Sequence, residues 1–355
     1  MKLLFICGRE IDYTRNEVLL RAFRRIGEVE TIAETGIAKS LVFRSTRIAI
    51  RALPKCIFNN YDLIFVGFYG HLLMIPIGLF SKHPIIFDAF VSTYDTLTSD
   101  RHSFTKKSLI GKLAAFLDRS ACYFANRILL DTHAHEQYFS TTLGVPSNKL
   151  RSLPVSCNEE IFYPKGISVD KTLVLSYSSY LPIHGIETII DAAEILKNEQ
   201  IHFVLIGKGP LYKKVFHYVN ELRLKNVTFK PPITLQSLSE EIAAASICLG
   251  GHFGISDKAN RVIPGKIYQM LAMGKPIIAA DSLANRELLQ HGISAYLCPP
   301  GDPTALAKAI LDLHRHPQLG KKIGMGGRET YKNFCSESII TEKLRKLVSE
   351  LINLN

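Results

Sequence analysis

At 355 residues the chain is long for one domain and comfortable for two. Its 47% apolar and 21% charged residues are those of an ordinary globular protein and exclude a disordered one. Lys and Arg (43) exceed Asp and Glu (32), and the net charge of +11 favours a polyanionic partner: nucleic acid, an anionic membrane face or phosphorylated small molecules.

In chain order, MKLLFICGRE holds too short an apolar run for a signal peptide and predicts a strand at Leu3–Ile6. That strand runs into Cys7-Gly8-Arg9-Glu10 without a G-x-G-x-x-G, which disfavours a nicotinamide enzyme. A helix is expected over 16–26. Residues 41–55, LVFRSTRIAIRALPK, set Arg44, Arg47, Arg51 and Lys55 among apolar positions. Residues 63–80 carry no formal charge, but glycines, His71 and Pro76 interrupt them. They predict a strand at Leu63–Val66, a turn and a short buried helix in place of a membrane span. Strands are expected at Ile85–Phe87 and Arg127–Leu130, with a second basic segment, TKKSLIGKLAAFLDR (105–119), between them.

Further strands are expected at Leu173–Ser176, His202–Ile206, Val227–Phe229, Ile247–Leu249 and Pro276–Ala279. Apolar residues recur at helical spacing over 186–198, 211–224, 236–245, 265–273, 303–314 and 337–352. Alternation of this kind predicts parallel sheets with helices on both faces. It restarts near residue 171, after the polar stretch SLPVSCNEEIFYPKGISVDK, which reads as a linker. The expected domains are 1–165 and 166–335, and two facing doubly wound halves imply a cleft at the carboxyl ends of their strands.

Seven scattered cysteines form no C-x-x-C pair, so neither disulfides nor zinc are expected and a reduced, cytoplasmic setting fits. There is no D-x-D, H-E-x-x-H or Cys/His cluster, no G-x-S-x-G elbow and no P-loop, and no metal or cofactor is expected. No helix-turn-helix or RNA-type aromatic–basic motif occurs, which leaves nucleic acid disfavoured despite the charge. The two basic segments suit an anionic membrane, and suit solvated helix faces equally well.

One stretch concentrates charge where a helix begins: SDKANRVIPGKIYQMLAMGKPII, residues 256–278. Pro264-Gly265 breaks the chain, and 266–273 reads as a short buried helix ending at Gly274. Its free N–H groups and roughly half a positive charge, with Arg261 and Lys266, make a site for a phosphate or diphosphate. Two solvated cations flanking a helix fit the local sequence as well. Ile206-Gly207-Lys208-Gly209-Pro210 is either a weak phosphate-cradling turn or a tight strand-to-helix turn.

SYSSYLPIHGIETIIDAA (176–193), Ile206–Pro210, Ala272–Ile278 and ELLQHGISAYLCPPGDP (287–303) together resemble the family 4 retaining glycosyltransferases. The resemblance covers nearly all of 171–350. The first half is similar more loosely, through Asp88–Thr96, Asp131-Thr132 and NEEIFYP (158–164). It implies the GT-B architecture: two Rossmann-like α/β domains, the first for the acceptor and the second for a nucleotide sugar, with residues 336–355 crossing back to the first.

This sequence departs from the family pattern. Arg261 and Gln269 replace the usual pair of glutamates, His184-Gly185 replaces a Lys-Gly pair, and Ser178-Ser179 replaces a glycine-rich strand end. A branch with a P-x-K-x-Y segment is similar, so these mark a subtype. The usual first-domain histidine has Asp88 or Phe90 nearest its place.

The resemblance implies a retaining, metal-independent transfer from a UDP- or GDP-linked sugar to an acceptor hydroxyl. Lys266, Arg261 and Asp88 are the expected catalytic residues, with His184 as a further charge on the diphosphate. Ser178, His184, Gly185, Gly209, Ile233, Gly265 and Gln269 are expected around the donor, Gln269 accepting a ribose hydroxyl. Gly8, Arg9, Asp95 and Arg101 are expected on the acceptor side. A GT-B nucleotide-sugar 2-epimerase and a non-catalytic anion- or membrane-binding module are the alternatives. The protein is expected in the cytoplasm, peripheral on the inner membrane face.

Overall fold

The computed structural model describes residues 1–34, 40–100, 104–166 and 172–352. The chain divides into two compact units, Met1–Ser156 with Glu337–Asn355, and Cys157–Ser336. The boundary thus falls earlier than residue 165. The linker is anchored to the second unit: Cys157 Sγ donates to Tyr331 Oη (3.3 Å), Phe162 is buried, and Lys165 Nζ donates to Ser239 Oγ (2.7 Å).

The first unit runs β1 (Lys2–Ile6), α1 (Thr14–Arg24), β2 (Glu28–Ile32), α2 (Leu41–Phe58), β3 (Leu63–Val66), α3 (His71–Phe80), β4 (Ile85–Asp88), α4 (Thr93–Asp95), α5 (Leu109–Phe124), β5 (Arg127–Leu130), α6 (His133–Leu143) and β6 (Leu150–Ser152). Its parallel sheet has the order β2-β1-β3-β4-β5-β6. Successive strand residues face opposite sides. Leu4 and Ile6 therefore join a core with Ile48 of α2, Met74 of α3 and Ala121 of α5, while Leu3 and Phe5 join Phe23 of α1 on the other face.

That second face is completed from the far end of the chain. The last helix brings Ile340, Leu344 and Leu347 onto α1, and its Glu337 bonds Arg21 (3.2 Å) and Arg25 (2.8 Å). Leu347 lies at the rim, 6% exposed. Leu347→Ala is expected to lower stability by about 2 kcal/mol, the small end of core truncations, as read by denaturant unfolding.

The second unit runs β7 (Thr172–Ser178), α7 (Ile186–Ile195), β8 (Ile201–Gly207), α8 (Tyr212–Glu221), β9 (Val227–Lys230), α9 (Leu235–Ala244), β10 (Ile247–Gly251), α10 (Gly265–Ala272), β11 (Ile277–Ala280), α11 (Leu283–Leu288), β12 (Tyr296–Cys298), α12 (Pro303–Arg315) and α13 (Pro317–Phe334), before α14 (Glu337–Ile352) rejoins the first. Its parallel sheet has the order β12-β11-β10-β7-β8-β9. Glycines let α13 lie close against α10 and the turn after it. A Cβ on Gly324 would stand 2.4 Å from Gly274 O, and one on Gly327 2.9 Å from Leu271 Cδ2. Arg328 donates to Ala272 O (2.5 Å), placing a cation at the carboxyl end of α10.

The uncharged run 63–80 forms β3, a turn and the ten-residue α3, and no helix among the described residues is long and apolar enough to cross a membrane. The expectation that this helix is wholly buried is corrected at its end, where Leu79 and Phe80 are exposed. All seven cysteines are buried and unbridged.

Candidate functional site

The carboxyl ends of β7 and β10 meet through their loops in the second unit. Gly254 N–H donates to Ile183 O (3.2 Å) and Phe253 N–H to His184 O (3.4 Å), so residues 182–185 and 252–254 touch through their backbones. Only glycine permits this approach at two points. Gly185 has φ +61° and a Cβ there would stand 2.3 Å from Phe253 C, while one on Gly254 would stand 2.6 Å from Pro182 O. Ile183, Ala259 and Val262 pack together and hold the approach to α10 onto the same loop. The fold thus gathers His184, Gly185, His252 and the start of α10.

Lys266 sits in the first turn of α10 and is 9% exposed. Its Nζ donates to Tyr177 O (3.3 Å) and lies beside Gly251, where a Cβ would be 3.5 Å from it. Burial pushes its pKa down from 10.5 to about 8. No side chain caps the helix, whose N-cap is Pro264, and the space above Gly265 is open. A buried cation and an uncapped helix start suit an anion. Arg261 is half-buried in the preceding turn, where its N–H donates to Lys258 O (3.0 Å).

Two neighbours are less charged than the sequence suggested. His184 Nδ1 accepts from Leu181 N–H (3.1 Å), which puts the proton of the neutral ring on Nε2. Burial, with Lys266 and Lys258 nearby, pushes its pKa down to about 3. The expectation that His184 adds charge to a diphosphate is therefore corrected: it offers a neutral N–H. His252, which sequence reasoning missed, stacks on it at 5.5 Å. Burial first, then His184 and Lys266, holds His252 well below the usual histidine range. Its Nδ1 is buried without a hydrogen-bond partner. Tyr177 was missed too. Its hydroxyl donates to Gln269 Oε1 (2.6 Å), which takes one of the two lone pairs of the oxygen expected to receive a ribose hydroxyl.

Ser178 ends β7, and its Oγ accepts from Tyr180 N–H (3.2 Å). Gly209 serves a close crossing there: a Cβ on it would stand 1.7 Å from Ser179 O. Ile233 follows β9 at the sheet edge and is half-buried.

In the first unit Asp88 ends β4 with no exposure, and both its carboxylate oxygens accept from Arg15, itself fully buried (Nη2–Oδ1 2.9 Å). Arg15 Nη1 also donates to Leu153 O (2.6 Å). The expectation of Asp88 as a group that orients an acceptor is corrected to a structural ion pair, because the carboxylate is both occupied and sealed. Asp95 is buried in the one-turn α4. Gly8 allows β1 to approach Tyr69, whose carbonyl would lie 2.5 Å from a Cβ. Arg9 is half-exposed, paired with Glu10 (2.7 Å) and set over the ring of Tyr13 (4.7 Å). Arg101 lies outside the described residues. Among the described residues no group of three His, Cys, Asp or Glu is placed to hold a metal ion.

Residues 171–316 match the family model described as glycosyl transferases group 1. An uncharacterised glycosyltransferase of Methanocaldococcus jannaschii is 27% identical over 194 residues, 55% of this chain and 52% of that one. The probable glycosyltransferase WbjE of Pseudomonas aeruginosa is 30% identical over 183 residues, 48% of this chain and 42% of that one. The chain spans about half the length of the curated relatives it matches. Sucrose-phosphate synthase of Thermosynechococcus elongatus superposes over all of both chains with a TM-score of 0.80 at 16% identity. Anabaena HepE, solved with UDP-glucose, superposes over 99% of this chain and 100% of that one with a TM-score of 0.75, also at 16%. The chain has the two-domain α/β architecture of the GT-B glycosyltransferases, and residues 171–316 of its second unit are similar to the glycosyl transferases group 1.

Proposed function

We propose that the protein is a retaining, metal-independent glycosyltransferase that moves a sugar from a nucleoside-diphosphate donor to an acceptor hydroxyl. The observation that carries this is Lys266: a buried ammonium at the open, uncapped start of α10, beside two neutral histidines. The family match over this unit and the UDP-glucose in Anabaena HepE support a nucleotide sugar as the ligand.

In this reading the diphosphate lies at the N-terminus of α10. Lys266 and Arg261 meet the charge that grows as the glycosidic bond breaks, and the helix dipole adds to them. His184 and His252 donate N–H groups without charge, and Gln269 meets the ribose with its neutral amide. The leaving phosphate takes the acceptor proton on the same face, so no carboxylate nucleophile is needed. The acceptor is a hydroxyl compound presented at an anionic membrane, with the protein peripheral on its cytoplasmic side.

Titration calorimetry with UDP and GDP tests the site. Lys266 attracts a diphosphate only while protonated, and its pKa in the free protein is about 8. Affinity is therefore expected to be level from about pH 7, where the terminal phosphate is ionised, to about 8, and to fall by up to about tenfold per unit above that, until the raised pKa of the complex is reached. A nucleoside diphosphate that binds with no such fall, or no binding of either, rejects the site.

A further inference from the structure

Helix α5 is amphipathic in the inverted sense. It turns small residues, Gly111, Ala114, Ala121 and Cys122, to the core. Its large apolar residues face outward: Leu109 is 73% exposed, Leu113 56% and Phe116 66%. These three recur at i, i+4 and i+7 and so form one stripe. Lys112 and Arg119 flank it at three residues' remove, Lys106 and Lys107 stand just ahead of it, and all four are exposed.

Within residues 104–124 no exposed carboxylate offsets these cations. The one acid in residues 104–124 is Asp118, which is fully buried and accepts from Ser92 Oγ (2.6 Å) and from the N–H groups of Thr93 (3.1 Å) and Tyr94 (3.0 Å). Neighbouring α3 ends in exposed Leu79 and Phe80, followed by exposed Lys82. The basic face expected on α2 differs, since its Arg44, Arg47, Arg51 and Lys55 are paired with Glu10, Glu34 and Glu30.

We infer that the outer stripe of α5, with the end of α3, docks the protein on an anionic phospholipid bilayer. The stripe enters the acyl boundary and the lysines meet lipid phosphates, the arrangement of an interfacial helix. Charge complementarity selects this occupant: an apolar stripe flanked along its own helix by exposed cations matches a surface that is apolar within and anionic at its headgroups. Phe116 and Tyr123 also wall a groove of about 850 Å³, lined by Ile75, Leu143 and Val145, that extends the apolar surface inward. The inference rests on the membrane part of the proposed function and names its surface.

Flotation with vesicles of phosphatidylcholine alone, or with an equal part of phosphatidylglycerol, tests it. The protein is expected to float with the anionic vesicles at low salt and not with the neutral ones. Replacing Lys106, Lys107 and Lys112 together by Gln is expected to weaken partitioning by about a hundredfold. Leu113→Asp with Phe116→Asp is expected to abolish it while melting temperature and UDP binding stay unchanged. No flotation of the unaltered protein, undiminished flotation of both variants, or a dimer broken by the Leu113 and Phe116 changes without vesicle binding would each overturn it. UDP binding without flotation overturns the docking surface and leaves the donor site standing, and flotation without UDP binding does the reverse.

Discussion

In a Lys266→Ala protein, turnover falls by about 10² to 10³ while donor affinity falls less. The difference arises because the charge on the leaving diphosphate grows as the glycosidic bond breaks, so the ammonium acts more strongly on the transition state than on the bound donor. Lys266→Arg recovers only part of the loss, since a planar fork cannot fill the space of a compact ammonium under Gly251.

A second readout separates this role from packing. Lys266 is lowered from 10.5 to about 8 by burial, so holding it charged costs the apo protein up to about 3 kcal/mol. The unfolded chain binds this proton more tightly, so stability rises with pH between about 8 and 10.5. Lys266→Met lacks that rise and melts higher at neutral pH, even as it turns over slowly. A variant with turnover close to that of the unaltered protein and no gain in stability would make Lys266 an ordinary solvated charge.

The Arg15–Asp88 pair predicts the largest loss of stability. Arg15→Met leaves a fully buried carboxylate without its cation, which costs about 3 to 5 kcal/mol. Burial then raises the Asp88 pKa in the folded state, so the variant loses stability as pH rises above about 4 and recovers it in acid. Chemical unfolding at several pH values reads this directly. Arg15→Met with Asp88→Leu removes both charges and is expected to regain most of the loss. The folded double variant also decides what Asp88 does. If it keeps turnover within about tenfold, the pair is structural; a loss on the scale of Lys266→Ala would return Asp88 to the chemistry.

How much was legible in the sequence follows from which contacts are local. Central strands such as β3 and β10 are covered on both faces and read as plain apolar runs. The strands that escaped notice, β2, β6 and β12, are sheet edges, where half-exposed residues such as those of Glu28–Ile32 break the pattern. Helix α13 escaped because its glycines argue against a helix locally, while packing on α10 requires them.

The candidate site divides in the same way. By itself the sequence determined two parallel α/β sheets and a lysine at the start of a helix, since strand runs, helical spacing and a Pro-Gly break are set by neighbours in the chain. Only the tertiary structure decided that Lys266 is buried under Gly251, that His184 is neutral against His252, that Arg15 takes Asp88, and that α5 turns its large apolar residues outward. Each of these depends on desolvation or on a partner far away in sequence, Arg15 and Asp88 standing 73 residues apart. Burial and long-range pairing set charge state and accessibility, and no local pattern of residue types encodes them.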